Sequence, residues 1–208
     1  MLFISKYMKT KIFALIPVAL LILNACKKNE TTEEKSATKA IPQAQLVAKI
    51  GMFQDSAKAT WKVMMQADDQ KIAFVKRLLE EISYMPKYDI VKHAKLMEKC
   101  KNLYTKRFDE KSFMQSGNID LYDAATDSLL KELKTFVISS PNVENYPLCS
   151  ELLNDITALD NDVIMHRVKY DGWAKQYNAL LDDQKEVLAK MGPEYANLKK
   201  MGLFQLEL

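Results

Sequence analysis

The sequence predicts an all-α fold, an elongated antiparallel helical bundle with two long and two shorter helices. Three observations point there. Apolar residues recur at steps of three and four over two stretches of about 40 residues, one near each end of the body. No stretch alternates apolar and polar residues as a half-buried strand does. Only 5 Gly and 6 Pro occur in 208 residues, and most of the Pro lie between the periodic segments.

The first long helix is expected from residue 43 to Met85. Its stripe is Leu46, Ile50, Phe53, Ala57, Trp61, Met64, Ile72, Val75, Leu79 and Ile82, interrupted around Asp68-Asp69. Pro86 ends it by disfavouring helical geometry at the residue before it. A second helix over 88–107 carries Ile90, Ala94, Met97, Leu103 and Tyr104 inward. Residues 108–118 lose periodicity and read as a loop. The third helix, 119–138, presents Leu121, Ala125, Leu129, Leu133 and Phe136, and Ser139-Ser140-Pro141-Asn142 breaks it.

The second long helix has the strongest pattern. From Leu148 the seam runs through Leu152, Ile156, Leu159, Val163, Tyr170, Ala174, Tyr177, Leu181 and Leu188, with His166 and Gln184 in its two vacancies. Gly192-Pro193 closes it, and a shorter element from Tyr195 to Phe204 is expected to fold back or to cross its end. The body is thus residues 43–208.

The residues before the body give an address. Residues 1–25 read as a lipoprotein signal peptide, with Lys6, Lys9 and Lys11 ahead of a 12-residue apolar run from Ile12 to Leu23. That run is shorter than the ~20 residues of a membrane span, and an uncleaved anchor helix or a plain signal peptide is the alternative reading. Leu23-Asn24-Ala25-Cys26 resembles a bacterial lipobox, in which Cys26 is lipidated and becomes the first residue; Met8 is an alternative start. Residues 26–42 are polar and charged and read as a flexible tether from the lipid. The expected location is the bacterial cell envelope, with the body outside the cytoplasm, on the outer membrane or the periplasmic face.

Charge removes other partners. Three of the 30 basic residues precede Cys26, which leaves 27 facing all 27 acidic ones, so the body is neutral. A phosphate-seeking surface loses its support, and no nucleic-acid partner is expected. The sequence contains no H-E-x-x-H, G-x-S-x-G, P-loop or C-x-x-C. No catalytic residue, metal ligand or cofactor is therefore assigned. His93 and His166 each lack a second ligand at helical spacing, and His166 reads as a hydrogen-bonded seam residue. The acidic pairs Asp68-Asp69, Asp109-Glu110 and Asp182-Asp183 read as solvated faces, with Asp68 a candidate for pairing with Arg167. Cys100 and Cys149 read as buried thiols, with a disulfide the alternative outside the cytoplasm.

One group of residues carries a resemblance. Glu144-Asn145-Tyr146-Pro147, Leu153, Asn161, Arg167, Tyr170-Asp171, Tyr177-Asn178 and Gly202-Leu203-Phe204 together resemble the LemA family. Trp61 also stands where that family tends to carry a Trp. The sequence departs from the family in having Asp171 in place of Asn and in lacking an Ile-Pro-Asn-Leu stretch in the first helix. The resemblance implies an antiparallel bundle held at the envelope by its N-terminus, with no catalytic residues to carry over. It marks Tyr146, Pro147, Arg167, Tyr170, Tyr177 and Asn178 as a structural or partner-binding motif. Independently, Tyr170 and Tyr177 lie seven residues apart on one helix face, and Arg167 and Asn178 are the expected partners of their hydroxyls.

Three functional classes follow. A membrane-tethered scaffold or adaptor for another envelope protein fits the lipobox, the tether and the neutral rod. A small-ligand or cofactor binder would use the bundle interior, with His166 and the methionines. A hydrolase of envelope polymer is the least supported, for want of a nucleophile beside a base. Self-association stays open.

Overall fold

In a computed structural model, residues 41–204 are described, and all belong to one compact unit, Thr38–Leu208. The signal peptide, Cys26 and nearly all of the tether lie outside the described residues. The described residues contain no strand. The elements are α1 (Gln43–Ser83), α2 (Ile90–Lys106), α3 (Ser116–Ser139), a 3-10 turn (Val143–Asn145), α4 (Pro147–Asp183), α5 (Lys185–Met191) and α6 (Pro193–Ala196). The fold is an all-α helical bundle in which the two long helices, α1 and α4, pack against each other.

At 1.5 Å per residue α1 is about 60 Å long and α4 about 55 Å. Their pairing holds one antiparallel register. Gln54 of α1 donates to the Tyr177 hydroxyl of α4. Seven residues on along α1 and seven back along α4, Trp61 meets Tyr170. A further ten in each direction, Lys71 meets Asp160.

The gap in the α1 stripe is not a solvated face. Asp68 and Lys71 are both buried there, at 3% and 2% exposure, so the steps of three and four continue through a buried ion pair. In α4 the upper vacancy belongs to Arg167, 5% exposed, and not to His166, which is half-buried one residue away. One residue is a 100° rotation about the helix axis, enough to exchange the two positions. Gln184 fills the lower vacancy as expected, but its backbone leaves helical geometry (φ −110°, ψ 16°), so the second long helix ends at Asp183 and α5 begins anew.

The shorter helices differ from expectation in their faces. α2 starts at Ile90, where the Asp89 carboxylate caps it by accepting from Lys92 N–H at 2.9 Å. It buries Leu96, Cys100 and Leu103. Ile90 is 67% exposed, Ala94 and Tyr104 are exposed, and Met97 is half-buried. In α3, Leu129, Leu133 and Phe136 are buried as expected, but Tyr122 replaces Leu121, which is 63% exposed. The 108–118 segment is a loop up to Gln115, yet it delivers Phe108 and Phe113 to the core.

α2 and α3 pack on each other, and α2 packs on α1, while α3 and α4 touch sparingly. His93 of α2 bonds the Leu79 carbonyl of α1 at 3.0 Å, and Lys99 of α2 pairs with Glu132 of α3. A groove is therefore left open between α3 and α4. Cys100 and Cys149 are both buried free thiols. Desolvation by burial pushes both above the ordinary thiol range.

Candidate functional site

The motif residues of α4 meet the segment after α6. Only Pro193–Ala196 of that segment is helical; residues 198–204 run back along α4 without helical structure. Asn178 donates to the Met201 carbonyl at 2.9 Å and accepts from the Met201 N–H at 2.8 Å. Two helical turns earlier, Asp171 accepts from the Phe204 N–H at 2.8 Å. Lys200 adds an exposed ion pair to Asp182 at 2.7 Å.

Geometry explains the spacing. Seven helical residues rise about 10.5 Å, and three residues of extended chain cover about 10 Å. Side chains seven apart on α4 thus match backbone groups three apart on a nearly extended segment. An amide is needed at 178 because it must both donate and accept, whereas at 171 a carboxylate suffices for the Phe204 N–H.

Phe204 then enters a socket of aromatic rings. Its ring stacks on Trp61 at 5.9 Å and 20°, and lies 4.9 Å from Phe113 and 5.6 Å from Tyr170. Phe108 closes another side at 5.8 Å. The Arg167 guanidinium sits 5.3 Å from the Phe204 ring and 5.5 Å from that of Phe108. Gly202 permits the approach, since a Cβ there would stand 2.7 Å from Met114 Cγ and 3.0 Å from Phe113 Cζ.

The expected hydroxyl partners serve elsewhere. Arg167 makes a two-pronged pair with Asp123 of α3, at 2.7 and 2.8 Å. Asn178 grips Met201, and Tyr177 takes its hydrogen bond from Gln54 at 3.2 Å. Burial, with the charges of Glu110 and Asp171 behind it, pushes the Tyr170 hydroxyl up to about 12. Tyr170 and Tyr177 are both buried, but in separate core clusters. Tyr146 is the half-buried residue before α4, and Pro147 is its first helical residue, a position that needs no N–H.

Asp68 does not pair with Arg167. Its Oδ2 accepts from the Tyr122 hydroxyl at 2.6 Å and lies 3.1 Å from Arg107 Nε. Its Oδ1 is 3.0 Å from the Lys71 ammonium, an ion-pair contact without hydrogen-bond angles. Lys71 reaches on to Asp160, and Arg107 to Asp69 and the Met65 carbonyl. One buried carboxylate thus ties together α1, the α2–α3 loop and α3. Burial, then the charge and hydrogen bond of Asp68, hold the Tyr122 hydroxyl far above its ordinary range.

The α3–α4 groove borders this network. One part, of 190 Å³, is lined by Lys71, Tyr122, Asp123, Thr126, Asp160 and Arg167. The adjoining part, of 470 Å³, has Leu130, Leu153 and Ile156 as its apolar lining and Lys131 and Lys134 beside it. Asp127 and Asp160 line both. Among the described residues no group of His, Cys, Asp or Glu is arranged to hold a metal, and no helix is long and apolar enough to cross a membrane.

Sequence reasoning missed Arg107, Phe108, Phe113 and Asp123. The first three lie in or beside an aperiodic loop, and Asp123 falls outside the apolar stripe of α3. No family model, no curated protein and no solved structure matches the chain.

Proposed function

We propose that this chain is a divergent LemA-like lipoprotein of the bacterial cell envelope, anchored through a lipid on Cys26 and acting without catalysis as a scaffold for another envelope protein. The observation that carries this reading is the use of the motif residues. Tyr170, Asp171, Asn178, Gly202 and Phe204, scattered over 35 positions of sequence, meet in one assembly in which Asp171 and Asn178 are spent on holding the last segment, and Tyr177, in the neighbouring cluster, is spent on Gln54. Arg167 is likewise committed to Asp123. The chemistry of the motif is that of a rigid support, and the partner is met by surfaces such as the α3–α4 groove.

A second reading, a small-ligand binder, draws on the apolar lining of that groove. Crosslinking and affinity capture of the full chain from its native envelope, with Cys26→Ser as the control, separates the two. The scaffold reading expects a discrete protein partner that is lost, together with membrane partitioning, in Cys26→Ser. Unchanged detergent partitioning of Cys26→Ser overturns the lipid anchor. A preparation with no protein partner but a bound small molecule in native mass spectrometry moves the assignment to ligand binding.

A further inference from the structure

The cradle on α4 takes hold of its segment through the main chain. Asn178 and Asp171 hold main-chain groups of Met201 and Phe204. Beyond these the fit asks for one aromatic ring in the socket, one residue without a Cβ at 202, and apolar side chains at 195, 198, 201 and 203 packed against the core. Such a site recognises a nearly extended segment by backbone spacing, as peptide-binding grooves do.

The segment joins the bundle through a hinge. Gly192 has φ +126°, a conformation that side chains other than glycine rarely adopt, and α6 beyond it is a single turn of four residues. Tyr195, Leu198, Met201 and Phe204 fall at every third position and turn inward, joined near the end by Leu203, while Asn197, Lys199 and Lys200 are exposed. Undocked, this strap would present its apolar residues to water, and Trp61 and Tyr170 would lose their covering ring.

We propose that the cradle is an exchangeable peptide-recognition site, and that a second copy of this chain fills it with its own residues 193–204 to give a segment-swapped dimer. Every contact made within one chain is available between two copies, because the donor segment and the acceptor cradle are the same. Exchange leaves the contact set unchanged and alters only the path of the hinge, which is why such swaps form at low cost. Concentrating copies on one surface favours the exchange further. This inference does not depend on the lipid anchor or on the scaffold reading.

Two full-length variants test it by complementation. Asn178→Ala breaks the cradle and keeps the segment; Phe204→Ala keeps the cradle and blunts the segment. Alone, each is expected to be monomeric, with a lowered thermal midpoint. Mixed, they should give a heterodimer in native mass spectrometry and a transition shifted up, since one intact cradle then receives one intact segment. A mixture that behaves as the superposition of its two components overturns the proposal.

A second measurement leaves both elements in place, in case either variant fails to fold. The unaltered full chain, in which Lys200 of the segment stands 2.7 Å from Asp182 of α4, is joined at that pair by a zero-length carbodiimide over a range of concentrations. A crosslinked dimer on a denaturing gel that grows with concentration supports exchange. A monomer closed on itself at every concentration overturns it.

Discussion

Asn178 holds Met201 by both of its main-chain groups, as a neighbouring strand would, although the partner is a helix. The side-chain amide supplies what a strand's peptide group supplies, and the helix provides the pitch. Asp171 repeats the grip at Phe204 with an acceptor alone.

That asymmetry makes Asn178→Asp informative. A carboxylate accepts from the Met201 N–H but faces the Met201 carbonyl with no proton to donate. The expected loss is about 1–2 kcal/mol, read as a lower midpoint in denaturant unfolding. An unchanged midpoint would show that the bond to the carbonyl adds nothing.

Two glycines should respond in opposite directions. Gly172 is exposed on α4, and a Cβ there meets nothing within 4 Å. Gly172→Ala should therefore stabilise the chain by about 0.5–1 kcal/mol through helix propensity. Gly202→Ala drives a methyl into Met114 and Phe113 and should cost about 1–3 kcal/mol as overpacking. Thermal melts of the two variants side by side decide it; shifts of the same sign refute the close-approach account.

Arg167 and Asp123 are not equivalent halves of their pair. Arg167 is buried with its Nε lacking a hydrogen-bond partner, whereas the Asp123 side chain is 40% exposed. Asp123→Ala strands a buried guanidinium and should cost about 2 kcal/mol, less than for a fully enclosed pair because water reaches the site. Arg167→Met removes the charge, keeps the bulk and should cost less than that. If Arg167→Met is the more damaging change in urea unfolding, the cation–π contacts with Phe108 and Phe204 outweigh the ion pair.

Alkaline pH should unfold this protein through its tyrosines. Tyr170 is pushed up to about 12 by burial, then by Glu110 and Asp171, and Tyr122 and Tyr177 are raised as well. An unfolded tyrosine ionises near about 10. The native state therefore keeps protons that the unfolded chain releases. Stability is full below about pH 10 and falls as pH rises through about 12. Ultraviolet titration of the folded protein should show these three tyrosines still protonated until the helical signal collapses. Ionisation of these three at about pH 10 in a still-folded chain would contradict it.

The long helices were legible because a single stripe at steps of three and four admits one burial pattern. α2 is harder, since the expected face with Ile90, Ala94, Met97 and Leu103 and the buried one with Leu96, Cys100 and Leu103 both obey helical spacing, and only contact with α1 and α3 selects the second. The cradle was half legible. The heptad repeat of Tyr-Asp and Tyr-Asn announces a face, but its meaning lies in a three-residue extended segment 23 positions beyond Asn178. Phe108 and Phe113 sit outside any period, so nothing local marks them as walls of the socket. Asp68 stands out as a candidate for an ion pair, but its true partners Arg107 and Tyr122 are 39 and 54 positions away and nothing in the sequence selects them over Arg167.

Trp61 and Phe204 stack across 143 positions of sequence, and this long span bears on the order of assembly. Contacts so distant along the chain form late, after the local helical ones. Phe204 lies beyond α1 to α4 in the chain, so however the chain is delivered its ring is the last wall of the socket to arrive. Until then the indole of Trp61 has no stacked neighbour on that side, and the two longest helices hold an unfinished core between them. A chain cut short of Phe204 would leave Trp61 and Tyr170 without their covering ring, apolar surface of the kind that chaperones and proteases read.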